Sequence, residues 1–309
     1  MTLTELRYIV AVARERHFGH AAEACHVSQP TLSVAVKKLE DELGTILFER
    51  GKHDVSMTPV GERIVQQAQK VLEEAEEIYH IAQHTHSQLE GPLRLGAIYT
   101  IGPYLLPHLI PLLRERHPLM QLLIEENYTA QLTYALKQGE LDVIILSLPF
   151  EEPGLLTLAV YDEPFVAVLP AEHPWVGRSH LSLDDVASET LLMLGDGHCF
   201  RDQVLQWCPQ CRRPTTSSND IERSVQGSSL ETIRHMVASG LGITILPCTA
   251  TTHELYTQRL LATCPLAPPV PKRRVALAWR SSFPRPKAIE ALRMAILSCE
   301  LPCVEPIYR

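Results

Sequence analysis

At Gly91-Pro92 the chain changes its apolar period, and that change divides it into two parts that cannot fold by one plan. Before the break, Ile64, Ala68, Val71, Ala75, Ile78 and Ala82 step by four and three residues, a heptad seam that asks for a partner helix. Dimerisation is the direct consequence, with packing along its own domain as the alternative. A continuous helix from Thr58 to Leu89 would span about 48 Å, enough to hold two N-terminal heads apart. After the break, short apolar runs alternate with amphipathic helical ones, the pattern of an α/β fold around a parallel sheet.

The head ahead of the seam reads as helix, helix, turn, helix. Leu3, Leu6, Ile9, Val10 and Ala13 recur at helical spacing, and a short second helix covers Phe18 to Cys25. Ser28 is an N-cap with Pro30 in the first turn, and Gly44 stops the third helix after Leu43. Its inner face carries Leu32, Ala35, Val36, Leu39 and Leu43; Gln29, Ser33, Val34, Lys37 and Lys38 project outward, a face that suits a DNA groove. Leu47 to Thr58 reads as a two-stranded ribbon with a basic tip, a wing beside the third helix or an ordinary solvated hairpin. Up to position 60 there are seven basic and eight acidic residues, so placement alone, not bulk charge, separates a DNA-reading head from a generic helical bundle.

In the second part, strands are expected at Leu93 to Ala97, Met120 to Glu125 and Val143 to Leu148, with helices at Pro103 to Arg116 and Thr129 to Gln138 between them. Further strands are expected at Phe165 to Leu169, Leu191 to Leu194, Val225 and Ile243 to Leu246. Helices are expected at Phe200 to Trp207 and Ser229 to Ser239. A late strand, Arg274 to Trp279, returns to the first half. Two α/β lobes result, 91–162 plus 268–309 and 163–267, with a cleft at their junction. The head, 1–60, and the linker helix, 61–90, precede them.

The net charge of −8 and a 45% hydrophobic content exclude both a polybasic coat and a disordered chain. Glu5, Arg7, Arg14 and Arg16 exclude a signal peptide, and no apolar run is long enough for a membrane span, so the cytoplasm is the expected compartment. There the eight cysteines are expected to be mostly reduced, without a disulfide framework, any disulfide being transient. Cys208-Pro209-Gln210-Cys211 has CxxC spacing, open to a disulfide of its own or to two metal ligands; no second ligand pair of that kind follows, so no metal or other cofactor is expected. Cys248, Cys264, Cys299 and Cys303 read as buried small hydrophobes or bystanders.

The order Phe18 to Ala22, Val27-Ser28-Gln29-Pro30-Thr31-Leu32-Ser33, Leu39-Glu40, Leu43-Gly44, Leu47-Phe48 and Thr58 to Gly61 resembles the LysR-type transcriptional regulators. The resemblance covers the whole chain. It implies a winged helix-turn-helix, a dimerising linker helix and a two-lobed regulatory domain like a periplasmic binding protein. Cys25, where the family usually carries Leu, and Val34, where a basic residue is common, depart from the pattern. Groove contacts are implied for Gln29, Thr31 and Ser33, flanked by Pro30, Val34 and Lys37, and phosphate contacts for Arg50 and Lys52.

Thr100 to Pro107, Gly195-Asp196-Gly197-His198-Cys199-Phe200-Arg201-Asp202-Gln203 with Cys208, and Ser229 to Pro247 resemble the hydrogen-peroxide-sensing members of that family. The resemblance implies that Cys199 reacts with peroxide and closes a reversible disulfide with Cys208. Thr100, Thr129 and His198 then belong to the peroxide pocket, with Arg274 as its cation and Arg273 as the alternative. Cys199 opens an amphipathic run, where helix amides favour a thiolate, and His198 and Arg201 are candidates to add positive potential against Asp196 and Asp202. If Phe200 to Trp207 is helical, the two cysteines lie about 13.5 Å apart, beyond the roughly 7 Å a disulfide spans. Closing it must refold the helix. The implied partners are promoter DNA, hydrogen peroxide, further copies of the chain as dimer or tetramer, RNA polymerase and a cellular dithiol; no membrane or enzymatic turnover is implied. Rival readings are a metabolite-responsive regulator with incidental cysteines, a thiol peroxidase and a periplasmic solute-binding protein.

Overall fold

The computed structural model describes residues 1–50, 55–82, 88–211, 227–251 and 259–308. Helix α1 (Leu3–Glu15) opens on a reciprocal cap: the Glu5 N–H donates to Thr2 Oγ1 at 3.2 Å and the Thr2 N–H to Glu5 Oε2 at 2.7 Å. In α2 (Phe18–Ala24), His17 Nδ1 accepts the amides of Gly19 and His20. Ser28 caps α3 (Gln29–Leu43), which ends at Gly44 with φ +66°. Ile9, Val12, Leu32, Val36, Leu39 and Leu47 form a closed core. Leu43, expected inside, is 39% exposed because the helix ends before the core reaches it.

Strands β1 (Phe48–Arg50) and β2 (Val55–Met57) pair antiparallel as the wing; its tip, including Lys52, lies outside the described residues. Helix α4 (Pro59–Ala82) carries the seam, which the structure splits in two. Val65 and Ala68 are buried and Ile64 packs against the head core, whereas Ile78 is 66% exposed. Packing along its own head therefore holds for the first half of the seam, and an open apolar face remains for the second. Residues 83–87 of the expected helix are outside the described range.

Beyond Gly91 the expected alternation is present: β3 (Gly91–Ile98), α5 (Gly102–Arg116), β4 (Met120–Asn127), α6 (Thr129–Lys137) and β5 (Val143–Leu148). β3 pairs parallel with both β4 and β5. Strand β6 (Leu155–Pro170) starts ten residues before the expected position. Pro164, just before the expected start, has no amide to donate. In the structure it marks the point where β6 changes partners: up to Pro164 it pairs with β9 (Lys272–Arg280), and from Phe165 with β7 (Thr244–Pro247) and β8 (Leu261–Pro265). One strand thus joins two cores, and β9 returns antiparallel to β5 in the first lobe.

The second lobe adds α7 (Leu183–Ser188), α8 (Cys199–Trp207) and α9 (Leu230–Ala238). Leu191 and Leu194, expected in a strand, form only isolated bridges to Ile243 and Gly227, and Val225 is outside the described residues. Helix α10 (Pro286–Leu297) packs on the first lobe, and β10 (Glu305–Pro306) pairs with β6. Two cysteine pairs are joined, Cys208 to Cys211 and Cys248 to Cys303. The second corrects the reading of Cys248 and Cys303 as bystanders: their Cα atoms stand 6.4 Å apart, so the bond clips the C-terminal segment to the turn after β7. No helix among the described residues is long and apolar enough to cross a membrane.

The head meets α4 through a contact only glycine permits. A Cβ on Gly61 would lie 2.1 Å from the Leu47 carbonyl oxygen, while Thr58 Oγ1 donates to Ile46 O at 2.8 Å and accepts the Gly61 amide at 2.9 Å. Gly61→Ala is predicted to cost about 1–3 kcal/mol by forcing α4 off the wing, read by urea unfolding of the full chain. A change below about 0.5 kcal/mol would contradict the contact.

Candidate functional site

Arg273 sits at the lobe junction with its side chain wholly buried. Its Nε donates to Glu163 Oε2 at 2.7 Å, Nη1 to Thr100 Oγ1 at 2.9 Å and Nη2 to the Thr100 carbonyl at 2.8 Å. The other Glu163 oxygen accepts the Thr249 amide at 3.1 Å and the Thr249 hydroxyl. A buried charge persists only when paired and hydrogen-bonded, and here each of the three guanidinium nitrogens has an oxygen partner. The guanidinium also lies 5.6 Å from the centre of the Phe200 ring, on α8.

Arg274 is corrected by the same register. Neighbouring strand residues face opposite ways, so with Arg273 inside, Arg274 points out, 52% exposed, and pairs with Asp162 at 2.7 Å. That pairing, and then Lys272 at 2.9 Å, hold the Asp162 carboxyl below its ordinary range. Glu163 and Thr249 escaped the sequence reading. The signal was there in two facing doublets, Asp162-Glu163 and Arg273-Arg274, but the doublets alone leave open which pair is buried.

Thr100, Tyr128, Thr129, Gly197, His198 and Cys199 line one small pocket. Gly197 has φ +94°, which turns the chain into α8 and presents Cys199 as its first residue. Thr100 is fixed by Arg273. Thr129 Oγ1 is buried and has no partner among the described residues. His198 is buried, its ring 4.7 Å from that of Tyr128 and 6.2 Å from that of Tyr99. Desolvation pushes its titration below the ordinary value, so it is neutral near pH 7 and supplies no positive charge. Arg201 is likewise committed, donating to Leu194 O at 2.9 Å and lying 3.4 Å from Asp196.

The two cysteines at the ends of α8 belong to different cores. Cys199 packs against the first lobe, whereas Phe200, Val204, Leu205, Cys208 and Cys211 lie in the core of the second. Gln203 holds the helix to the first lobe through a 2.8 Å bond to Ser147 Oγ. The expected Cys199–Cys208 bond is not the one present: Cys199 is a free thiol, and Cys208, fully buried, is joined to Cys211 with 5.3 Å between Cα atoms. The reason is reach. Nine residues of helix separate Cys199 from Cys208 by roughly 13 Å, and unwinding them would expose Phe200, Val204 and Leu205 at about 1.5–3 kcal/mol each.

On the head, Gln29, Pro30, Thr31, Val34 and Lys37 are exposed and Ser33 is half-buried, all on α3. Val34 is 68% exposed, and the Thr31 hydroxyl shares a 2.8 Å hydrogen bond with Ser28. Arg50 ends β1. Cys25 packs at the edge of the head core.

Two outcomes test this geometry. Arg273→Ala, leaving Glu163 buried and unpaired, is predicted to cost about 3–5 kcal/mol, and Arg274→Ala under about 1 kcal/mol because Asp162 keeps Lys272. Chemical denaturation of both variants reads this, and equal losses would contradict the assignment. His198 has a folded-state value below its unfolded one of about 6.5, so its contribution is present above that pH and is lost as pH falls through the window beneath it. The melting temperature of the wild type should therefore fall more steeply from pH 7 to 5 than that of His198→Gln; parallel curves would contradict a buried neutral imidazole.

Comparison with known proteins places both parts of the chain. Residues 3–62 match the bacterial regulatory helix-turn-helix protein, lysR family, and residues 86–298 match the LysR substrate binding domain. The DNA-binding transcriptional dual regulator OxyR of Escherichia coli (strain K12) is 40% identical over 296 residues, 96% of this chain and 95% of that protein. Full-length OxyR C199D from Pseudomonas aeruginosa superposes with a TM-score of 0.83 at 54% identity, covering 100% of this chain and 98% of that one. The reduced form of the OxyR regulatory domain from the same organism gives 0.63 at 51% identity, covering 69% of this chain and all of that one. With a helix-turn-helix head, a two-lobed regulatory domain and relatives along nearly its whole length, the chain belongs to the LysR family of bacterial transcriptional regulators.

Proposed function

We propose that this regulator senses hydrogen peroxide at Cys199 and converts the reaction into a change in how its heads sit on promoter DNA. The observation that carries the reading is the pocket: a free thiol opening α8 lines it together with Thr100, whose hydroxyl is fixed by Arg273, and Thr129, whose buried hydroxyl has no partner among the described residues. A small molecule with two adjacent oxygens, each a donor and an acceptor, satisfies those groups. The relatives named as OxyR, and as hydrogen peroxide-inducible genes activators, support the same ligand.

The Cys199 sulfur attacks one peroxide oxygen, the O–O bond breaks, and the leaving hydroxide takes a proton to become water; Cys199 is left as a sulfenic acid. The thiol of Cys208, once reduced, displaces water from it and forms the Cys199–Cys208 disulfide. α8 must unwind to allow this, which releases Phe200 from Arg273 and Gln203 from Ser147 and changes the lobe junction. A cellular dithiol returns the thiols.

On the DNA side, Gln29, Thr31 and Ser33 face the groove, with Pro30, Val34 and Lys37 beside them, and Arg50 and Lys52 take phosphates. The open lower face of α4 supports assembly into dimers or tetramers. The regulator works in the cytoplasm, passes its signal to RNA polymerase and turns over no substrate. Its working parts are the head at 1–60, the linker at 61–90 and the lobes at 91–162 plus 268–309 and 163–267.

Footprinting of the reduced full-length chain on promoter DNA, before and after one equivalent of peroxide, tests the reading. The footprint should shift for the wild type and stay fixed for Cys199→Ser. A shift in Cys199→Ser, or none in the wild type, would contradict it.

A further inference from the structure

The sulfur of Cys208 can take part in one disulfide at a time, and the fold offers it two partners of very different geometry. Cys199 stands across a nine-residue helix and in another core. Cys211 stands one turn away: its amide donates to the Cys208 carbonyl at 2.9 Å, the two Cα atoms are 5.3 Å apart, and both side chains are buried in the core of the second lobe. The bond to Cys211 coexists with an intact α8, with Phe200 against Phe165 at 5.1 Å and Gln203 on Ser147. A bond to Cys199 excludes the intact helix, and with it the placement of both contacts.

We infer that Cys211 is an exchange thiol that ends the signal: its thiolate attacks the Cys208 sulfur of the Cys199–Cys208 disulfide, forms Cys208–Cys211 and expels Cys199 as a thiolate, which takes up a proton. One S–S bond breaks and one forms, so no oxidant or reductant is consumed. The inference rests on the peroxide reading above, since it needs the Cys199–Cys208 bond as its starting state. The driving force is structural. Exchange trades a link that holds α8 unwound for one the folded helix accepts, so refolding of Phe200, Val204 and Leu205 into their core drives it forward.

Two consequences follow from the shared sulfur. The exchanged molecule is still oxidised by two electrons but has the α8 conformation of the unsignalled state. It also cannot signal again until a dithiol opens Cys208–Cys211, because a second peroxide would leave a Cys199 sulfenic acid with no thiol at Cys208 to condense with. The CxxC thereby separates the lifetime of the signal from the rate of cellular reduction.

The test uses the full-length chain, fully reduced and freed of reductant, treated with one equivalent of peroxide. It is quenched by alkylation at intervals, and its disulfides are mapped by mass spectrometry. In the wild type, Cys199–Cys208 should appear first and be replaced by Cys208–Cys211 with no reductant added, while in Cys211→Ala and Cys211→Ser it should last at least about tenfold longer. A wild-type Cys199–Cys208 bond that persists while Cys211 stays alkylatable overturns the exchange and leaves the peroxide reading standing. Formation of Cys208–Cys211 at the wild-type rate in Cys199→Ser overturns it equally, since no exchange from Cys199 is then possible. Absence of Cys199–Cys208 from the wild type and from both Cys211 variants overturns the peroxide reading and the exchange together.

Discussion

The guanidinium of Arg273 is the point on which the two lobes turn. A charge with no exposed surface must be paired and hydrogen-bonded, and here each of the three guanidinium nitrogens donates to an oxygen, of Glu163 or of the Thr100 hydroxyl or carbonyl. Glu163 in turn holds the amide of Thr249, in the turn after β7. A single side chain therefore ties the strand that changes sheets, the loop that forms the pocket and the start of the second core. Removing it strands a buried carboxylate as well as a threonine.

The same guanidinium lies 5.6 Å from the Phe200 ring, which connects the buried network to helix α8. Helix α8 is held by both lobes, through Phe200, Val204 and Leu205 on one side and Cys199 and Gln203 on the other. Its two terminal sulfurs are separated by the rise of the helix itself. Covalent chemistry at one end can act on the other only by undoing the backbone between them, so a local reaction becomes a change at the lobe junction. The neighbouring Cys211 gives Cys208 a partner that asks for no such change, and that contrast makes the two bonds alternatives with opposite effects on the helix.

Much of this was legible in the residues. Ser28, Pro30 and Gly44 bound α3 where the caps say they should, and β5 begins and ends at Val143 and Leu148 as its apolar run predicts. Three features were hidden for physical reasons. Pro164 looks like the end of a strand, because its missing amide is harmless only at a point where the strand changes partners, which is a tertiary fact. Adjacent arginines at 273 and 274 carry equal charge, and the choice between them depends on which face of β9 the second lobe covers. Cys248 and Cys303 lie 55 positions apart, and their meeting depends on the path of the C-terminal segment back to β6. The motif around Cys199 drew attention to that thiol, yet spacing alone left open whether Cys208 would meet Cys199 or Cys211.

Helix α8 and a bond between its flanking sulfurs cannot coexist. Hydrogen exchange of the amides from Arg201 to Cys208 measures this directly, on the reduced chain and on the chain trapped with Cys199 joined to Cys208. Protection across those amides should be present in the first and lost in the second. Retained protection in a sample whose Cys199–Cys208 linkage is verified by mass would contradict the account.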